Sequence, residues 1–265
     1  MHRFSPLLLA LLGFACVVPK DARPRVIYGL DVATESNHRG MVQNETGVLE
    51  PSLTVALPAE QDGTIILRGA GQIDLSNDTG DAWRPSGHGG RFSSLDWMFL
   101  YEQVVDSYVM TFGLVNYNLP NGLEFQFGER GATTEVLAEF KADYSGTQPG
   151  LRIHYDVDEV EGLYLQGFVG REFELSDDWT ARGDFSLGWM DEDQASWNYA
   201  QAPPHSGLAD ARLSGAFVYR IDEHTASKIH VAYSDVIDSE FRGWIEDLGI
   251  EAARAWIGIG IEWTY

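Results

Sequence analysis

From residue 25 to the C-terminus the chain alternates apolar and polar side chains with a period of two, in runs of about 9 to 15 residues. A period of two puts successive side chains on opposite faces of an extended strand, so these runs cannot be helices. The last run shows it best. Ile257, Ile259, Ile261, Trp263 and Tyr265 form an apolar face, with Gly258, Gly260, Glu262 and Thr264 behind it. Tyr108, Met110, Phe112 and Leu114 repeat the pattern, as do Trp179, Ala181, Phe185, Leu187 and Trp189 against Thr180, Arg182, Asp184 and Ser186.

The runs predict about twelve strands, near residues 25–33, 48–58, 64–76, 94–105, 108–119, 134–144, 150–157, 162–175, 179–191, 207–221, 226–236 and 252–265. Their connections alternate in length. Short turns at 59–63, 106–107, 145–149, 176–178 and 222–225 alternate with longer stretches at 34–47, 77–93, 120–133, 192–206 and 237–251, with one shorter exception at 158–161. A soluble sandwich has no reason to put every long loop at one end. A membrane barrel does, with short periplasmic turns, long outer loops and an even strand count. Strand length agrees, since spanning strands need about 9 to 11 residues and soluble ones cluster near 5 or 6. Trp97, Tyr101, Tyr108, Tyr117, Trp179, Trp189, Tyr219 and Trp263 fall near strand ends, where interfacial girdles belong.

Charge and hydropathy narrow the class further. With 18 Lys and Arg against 40 Asp and Glu, the net charge of −22 excludes a nucleic-acid partner bound through a basic face. Beyond residue 20 no apolar run approaches the roughly 18 to 20 residues of a spanning helix. The mean hydropathy of −0.19 is nevertheless compatible with a membrane, because alternation produces it when only one face meets lipid. Residues 1–22 have the layout of a secretory signal: His2 and Arg3, an apolar run from Leu7 to Val18, then small residues. Cys16 could be a lipid-attachment site, but Gly13 and Phe14 depart from that motif, so Cys16 is expected to leave with the signal. The expected organisation is a signal at 1–22 and a barrel domain at 23–265, in the outer membrane of a Gram-negative-type bacterium.

The fold class expected is therefore all-β: a transmembrane antiparallel up-and-down barrel of about twelve strands. In lipid every backbone group must be paired within the protein, so the sheet must close. The competing fold is a soluble secreted barrel or sandwich, with the apolar face inside. The polar second face is expected to line the lumen through Arg68, Asp74, Glu135, Glu139, Lys141, Arg152, His154, Arg182, Asp184, Asp210, Arg212, Arg220, Lys228 and His230. Basic residues in that set suit small anionic solutes, since lumenal charge tunes selectivity. The inward carboxylates argue the other way.

Several phrases resemble the TorF-like family of outer-membrane porins and its relatives. They are Arg39-Gly40, Glu50-Pro51-Ser52-Leu53-Thr54-Val55, Asp74-Leu75-Ser76-Asn77-Asp78, the run from His154 through Tyr164, Phe173 through Trp179, and Ser186-Leu187-Gly188-Trp189. The likeness covers nearly all of the chain after residue 22 and implies an outer-membrane location and a porin role, without transferable ligand residues. The run Ile257, Ile259, Ile261, Trp263 and Tyr265 resembles the signal read by the outer-membrane barrel assembly machinery. Tyr265 departs from the usual terminal Phe.

No catalytic, metal or cofactor site is expected. Asp156, Asp158, Glu159 and Glu161 could gather a hard cation, but they read better as solvated outer-loop acids, as do Asp191-Glu192-Asp193. A barrel hydrolase would need a nucleophile and a His within reach, oriented by a third group. His205 and Ser206 are strand neighbours pointing apart, while His230 with Ser234 and His154 with Asp156 share faces. The Gly-rich segment 86–90 lacks the following helix and Lys of a phosphate loop. Residues 239–253 carry Phe241, Trp244, Ile245, Leu248 and Ala252 at helical spacing, predicting a short helix over the barrel mouth. The function expected is a passive or weakly selective channel; the alternative is a non-conducting structural or surface-interaction barrel in the outer-membrane lipid.

Overall fold

The computed structural model describes residues 23–59, 62–78, 80, 87, 89–125, 128–199 and 202–265. The wall is a closed barrel of β1 (Arg25–Ala33), β4 (Val48–Pro58), β5 (Gly63–Asp74), β6 (Phe92–Val105), β7 (Tyr108–Phe125), β8 (Gly128–Ala142), β9 (Thr147–Asp156), β10 (Leu163–Glu174), β11 (Trp179–Met190), β12 (Gly207–Arg220), β13 (Thr225–Val236) and β14 (Ala253–Thr264). A small hairpin, β2 (Ser36–His38) and β3 (Met41–Asn44), leaves the wall between β1 and β4. Two helices, α1 (Glu192–Asn198) and α2 (Ser239–Asp247), lie in the connections at the long-loop end.

Every wall strand pairs antiparallel with its neighbours in sequence order, apart from the inserted hairpin. β1 closes the ring against β14, from Ile27 opposite Thr264 to Ala33 opposite Gly258. Closure leaves no row of unpaired backbone groups, which is what a sheet in hydrocarbon requires. Strand lengths of 9 to 18 residues match the spanning requirement.

Which way the apolar face points decides between the two barrel readings. Ile259, Leu213 and Phe217 point away from the barrel and are 59%, 57% and 56% exposed. The alternate positions hold Asp210, Arg212, Ser214, Gly258 and Gly260 and face inward. The apolar exterior is incompatible with a soluble barrel, whose apolar face would form the core. Aromatic pairs ring the short-turn end: Trp179 with Tyr219 at 4.9 Å, Tyr108 with Phe140 at 5.3 Å and Tyr28 with Tyr265 at 6.2 Å between ring centroids.

Two connections differ from the sequence expectation. Residues 120–133 were expected to form a loop, yet β7 and β8 continue into them as a paired ribbon past a register shift between Asn118 and Leu123. Two strands satisfy each other's backbone groups there without needing an apolar face, so alternation gives no signal. Residues 34–47 hold β2 and β3, whose side chains turn into the barrel, and Met41, Val42 and Asn44 are buried. The helix expected within 239–253 is present as α2, capped by Asp238, with Phe241 and Ile245 on its buried face.

Candidate functional site: the barrel interior

The inserted hairpin reverses at Arg39-Gly40, whose φ values of 49° and 82° are both left-handed, as a two-residue hairpin turn demands. Gly40 is required twice over, because a Cβ there would also press on the Asp210 and Val236 side chains at 3.0 Å. The turn carries Arg39 into the barrel, where its guanidinium donates to both carboxylate oxygens of Glu135 at 2.8 and 2.7 Å. Glu135 Oε2 also lies 2.8 Å from His154 Nδ1. The guanidinium lies 4.4 Å from the Tyr164 ring centroid, and the Arg39 carbonyl accepts from Asn198 Nδ2 at 3.1 Å and Tyr199 Oη at 3.2 Å. Burial holds the Tyr199 phenol well above its ordinary pKa, as a neutral donor. Met41, Val42, Tyr164, Met190, Tyr199, Val236, Phe241 and Ile245 pack into one buried cluster at this end. Side chains thus pack the interior at the long-loop end.

Below it the interior opens into polar chambers. One, of about 300 Å³, is lined from β8 to β12 by Lys141, Arg152, Arg182 and Arg212, with Glu139, Asp184, Gln148, Gln166, Ser186 and Ser214. Arg152 bonds Glu139 through Nε at 2.7 Å and Gln166 through Nη1 at 3.0 Å, and Arg182 pairs with Asp184 at 3.0 Å. Arg212 stands 5.1 Å from the Trp256 ring centroid. A second chamber, of about 240 Å³, is lined from β1, β4, β5, β6 and the hairpin by Asp31, Glu50, Asp96, Arg68, Gln72 and Ser94 among others.

The other expected lumen positions are distributed as follows. Asp74 is buried and accepts from Ser93 Oγ at 2.8 Å. Asp210 is buried under Tyr164 Oη at 3.0 Å. Lys228 pairs with Asp31 at 2.8 Å, across a β14 residue, Gly260, whose missing side chain makes room for the pair. His230 occupies the space over Gly258 in the same way. Arg220 is exposed at the last residue of β12, at the short-turn rim. Asp31, Glu50, Asp96 and Arg39 were not among the lumen positions expected from the sequence. For the first three, strand parity was a sufficient signal.

At the mouth, Arg254 faces Glu35 at 3.8 Å and Glu251 at 3.2 Å and pairs closely with Glu45. Burial pushes the Glu35 carboxyl up to about 6 against the lowering effect of Arg254. His205 Nε2 meets Asp238 Oδ2 at 3.1 Å and its Nδ1 meets Glu240 at 3.5 Å. The hydrogen bond to Asp238 raises the His205 pKa. Both ring nitrogens thus face carboxylates, leaving neither to activate a hydroxyl. His154 is held by Glu135 rather than Asp156. Neither His205 nor His154 is placed as the base of a nucleophile.

The acids expected to be solvated are in part structural, which corrects that reading. Asp156 is fully buried, accepting from the Thr133 hydroxyl, from the Asp158 and Val160 amides at 3.0 Å each and from the Glu161 amide at 3.4 Å. Asp191 caps α1 through the Gln194 amide at 2.9 Å and also accepts from the Leu163 amide at 2.8 Å. Short loops with many free N–H groups use carboxylates as acceptors. Residues 1–22, with Cys16, and residues 86 and 88 of the Gly-rich segment lie outside the described residues.

The closed wall, apolar exterior and polar interior define a transmembrane β-barrel. No family model and no curated protein matches the chain. Among solved structures it is similar to an outer-membrane channel from Pseudomonas putida F1, with a TM-score of 0.58 and 7% identity over 96% of this chain and 98% of that one. It is also similar to the NanC porin, at 0.50 and 11% over 91% and 99%. The shared feature at such identities is the fold of outer-membrane barrels.

Proposed function

We propose that the protein is an outer-membrane channel for small polar solutes. The observation that carries this reading is the 300 Å³ chamber walled by Lys141, Arg152, Arg182 and Arg212 inside a closed barrel. A barrel that served only as a scaffold could fill that space with apolar side chains. Twelve strands lie between the eight that leave a side-chain-filled interior and the sixteen or more that leave a wide aqueous pore. Narrow, charge-tuned passage suits that size. Residues 1–22 would direct export, the outward face of β14 ending in Tyr265 would be read by the assembly machinery, and the TorF-like porins would be the kin.

One observation favours the second reading, a non-conducting barrel: the hairpin turn at Arg39 and the apolar cluster around it pack the interior at the long-loop end. Planar-bilayer recording separates the two. The channel reading expects discrete current steps, and a purified, folded barrel giving none at high voltage would overturn it.

A further inference from the structure

The β2–β3 hairpin stands inside the barrel without belonging to its wall, because its two strands pair only with each other. The wall holds its two ends: the Thr34 amide donates to the Ile257 carbonyl at 2.9 Å, and the Gly47 carbonyl accepts from the Leu75 amide at 3.0 Å. Arg254 grips the base through Glu35 and Glu45. Further in, the hairpin is held through its turn, by Arg39 on Glu135, by Asn198 and Tyr199 donating to the Arg39 carbonyl, and by Met41 and Val42 in the apolar cluster. Against these contacts stand polar groups that the seat leaves unanswered. Glu35 Oε1, Ser36 Oγ, Asn37 Nδ2 and Asn44 Nδ2 are buried and have no hydrogen-bond partner among the described residues. Each gives up its hydration on entering the barrel and receives nothing in exchange. Withdrawn to the mouth, all four would be solvated. The hairpin is also packed tightly on one side only, since Asn37, His38 and Gln43 border the polar chamber of about 240 Å³.

Resting on the channel reading for its consequence but not for its motion, we propose that the β2–β3 hairpin is a gate. Seated, it closes the long-loop end with Arg39 latched on Glu135. Withdrawn, it carries residues 35–46 toward the mouth and opens the route to the basic chamber. Thr34 and Gly47 are the hinge, and the φ of 105° at Gly47 is one that glycine adopts without strain. The ion pair latches the seat without fixing it, because withdrawal lets water reach both charges and a buried pair is weak evidence of net stability. The seated state keeps an ion pair and an apolar contact; the withdrawn state hydrates four polar groups. Two states with such opposed gains are the near-balanced pair that a switch requires.

Cysteine accessibility tests the motion. The sequence has one Cys, Cys16, in the segment expected to be removed, so Ser36→Cys puts a single thiol on the hairpin. In the folded barrel in lipid vesicles, with heat-modifiable migration reporting the fold, a membrane-impermeant thiol reagent should label Ser36→Cys about tenfold faster than Ala195→Cys. Ala195 is fully buried in the same apolar cluster but sits on α1. Asn44→Cys, on β3, repeats the probe should Ser36→Cys fail to fold. Adding Glu135→Gln should speed labelling of the hairpin thiol about tenfold further and leave Ala195→Cys unchanged. In planar bilayers a bulky adduct on the hairpin should block reseating and raise the current. Hairpin thiols labelled no faster than Ala195→Cys would overturn the gate, and so would labelling that leaves the current of a conducting preparation unchanged. A barrel passing no current before or after labelling would instead remove the channel reading, with the labelling rates still deciding whether the hairpin moves.

Discussion

Arg39 and Glu135 are 96 residues apart in sequence and meet inside the barrel through two parallel hydrogen bonds of 2.8 and 2.7 Å. Both side chains are almost wholly shielded, at 6% and 1% exposure. A buried pair is weak evidence of net stabilisation, but removing one partner strands the other charge, typically at a cost of about 3 to 5 kcal/mol. Arg39→Ala and Glu135→Ala should each lower barrel stability by that order. The double variant should lose far less than the two losses combined, because neither charge is then left alone. Urea titration of the heat-modifiable gel shift reads this cycle. The hairpin, freed from its anchor, should also leave the long-loop end more open, so Arg39→Ala is expected to show larger current steps than the unmodified protein.

The wall was legible in the sequence, and the filled mouth was not. Alternation at Ile257, Ile259 and Ile261 reports a strand with one face in lipid, and long and short connections report its direction. Ser36 through Asn44 has no such face. It is held by the Arg39 and Glu135 pair and by Asn198 and Tyr199 donating to a backbone carbonyl, contacts between residues remote in sequence. The left-handed turn at Arg39-Gly40 is seen in the structure, and the sequence reading placed neither strand nor turn there. The acids show the same limit. Asp156 and Asp191 look like any loop carboxylate until the amides they accept from are placed. Which inward charges come to ion-pair distance, as Lys228 and Asp31 do, depends on the whole ring.

His205 and Asp238 clasp the start of α2. The folded pKa of His205 is raised by its bond to Asp238. The pKa of Asp238 is lowered because His205 and the Glu240 and Phe241 amides outweigh the opposing effect of burial. The raised His205 contributes fully below its unfolded value of about 6.5 and loses its contribution as pH rises through the folded value. The lowered Asp238 contributes above about 3.9 and loses it as pH falls through its folded value. The α2 amides should therefore be best protected from hydrogen exchange between these limits and less so near pH 9, after correction for the intrinsic rate. In His205→Gln the loss on the alkaline side should vanish.

Glu35 has the opposite sign to an ordinary paired carboxylate. Its carboxyl is pushed up to about 6, first by burial and then by Glu251, with Arg254 opposing. A raised folded value means that its contribution is complete below the unfolded pKa of about 4.3 and is lost as pH rises through about 6. The base of the β2–β3 hairpin should loosen as pH rises from about 4.3 to about 6. Limited proteolysis within 34–47 should accelerate across that interval. Glu35→Gln should flatten the profile, and an unchanged profile in that variant would assign the effect elsewhere.

Ile259 and Glu262 lie three residues apart on β14 and on opposite faces of the wall. Ile259 is at the middle of the strand and 59% exposed on the outside. By parity Glu262 faces inward near the short-turn end. A charge on the lipid face of a membrane barrel costs about 2 to 4 kcal/mol for Arg at the midplane, whereas lumenal changes mainly tune selectivity. Ile259→Arg should therefore destabilise folding into lipid vesicles by that amount in urea titrations. Glu262→Arg should stay within about 0.5 kcal/mol of the unmodified protein. A soluble barrel with its apolar face as the core would rank these two variants the same way, so depth is the discriminating measurement: on the outward face the cost should fall to about 0 to 1 kcal/mol for Ala255→Arg near the strand end, because hydrocarbon gives way to the interface there.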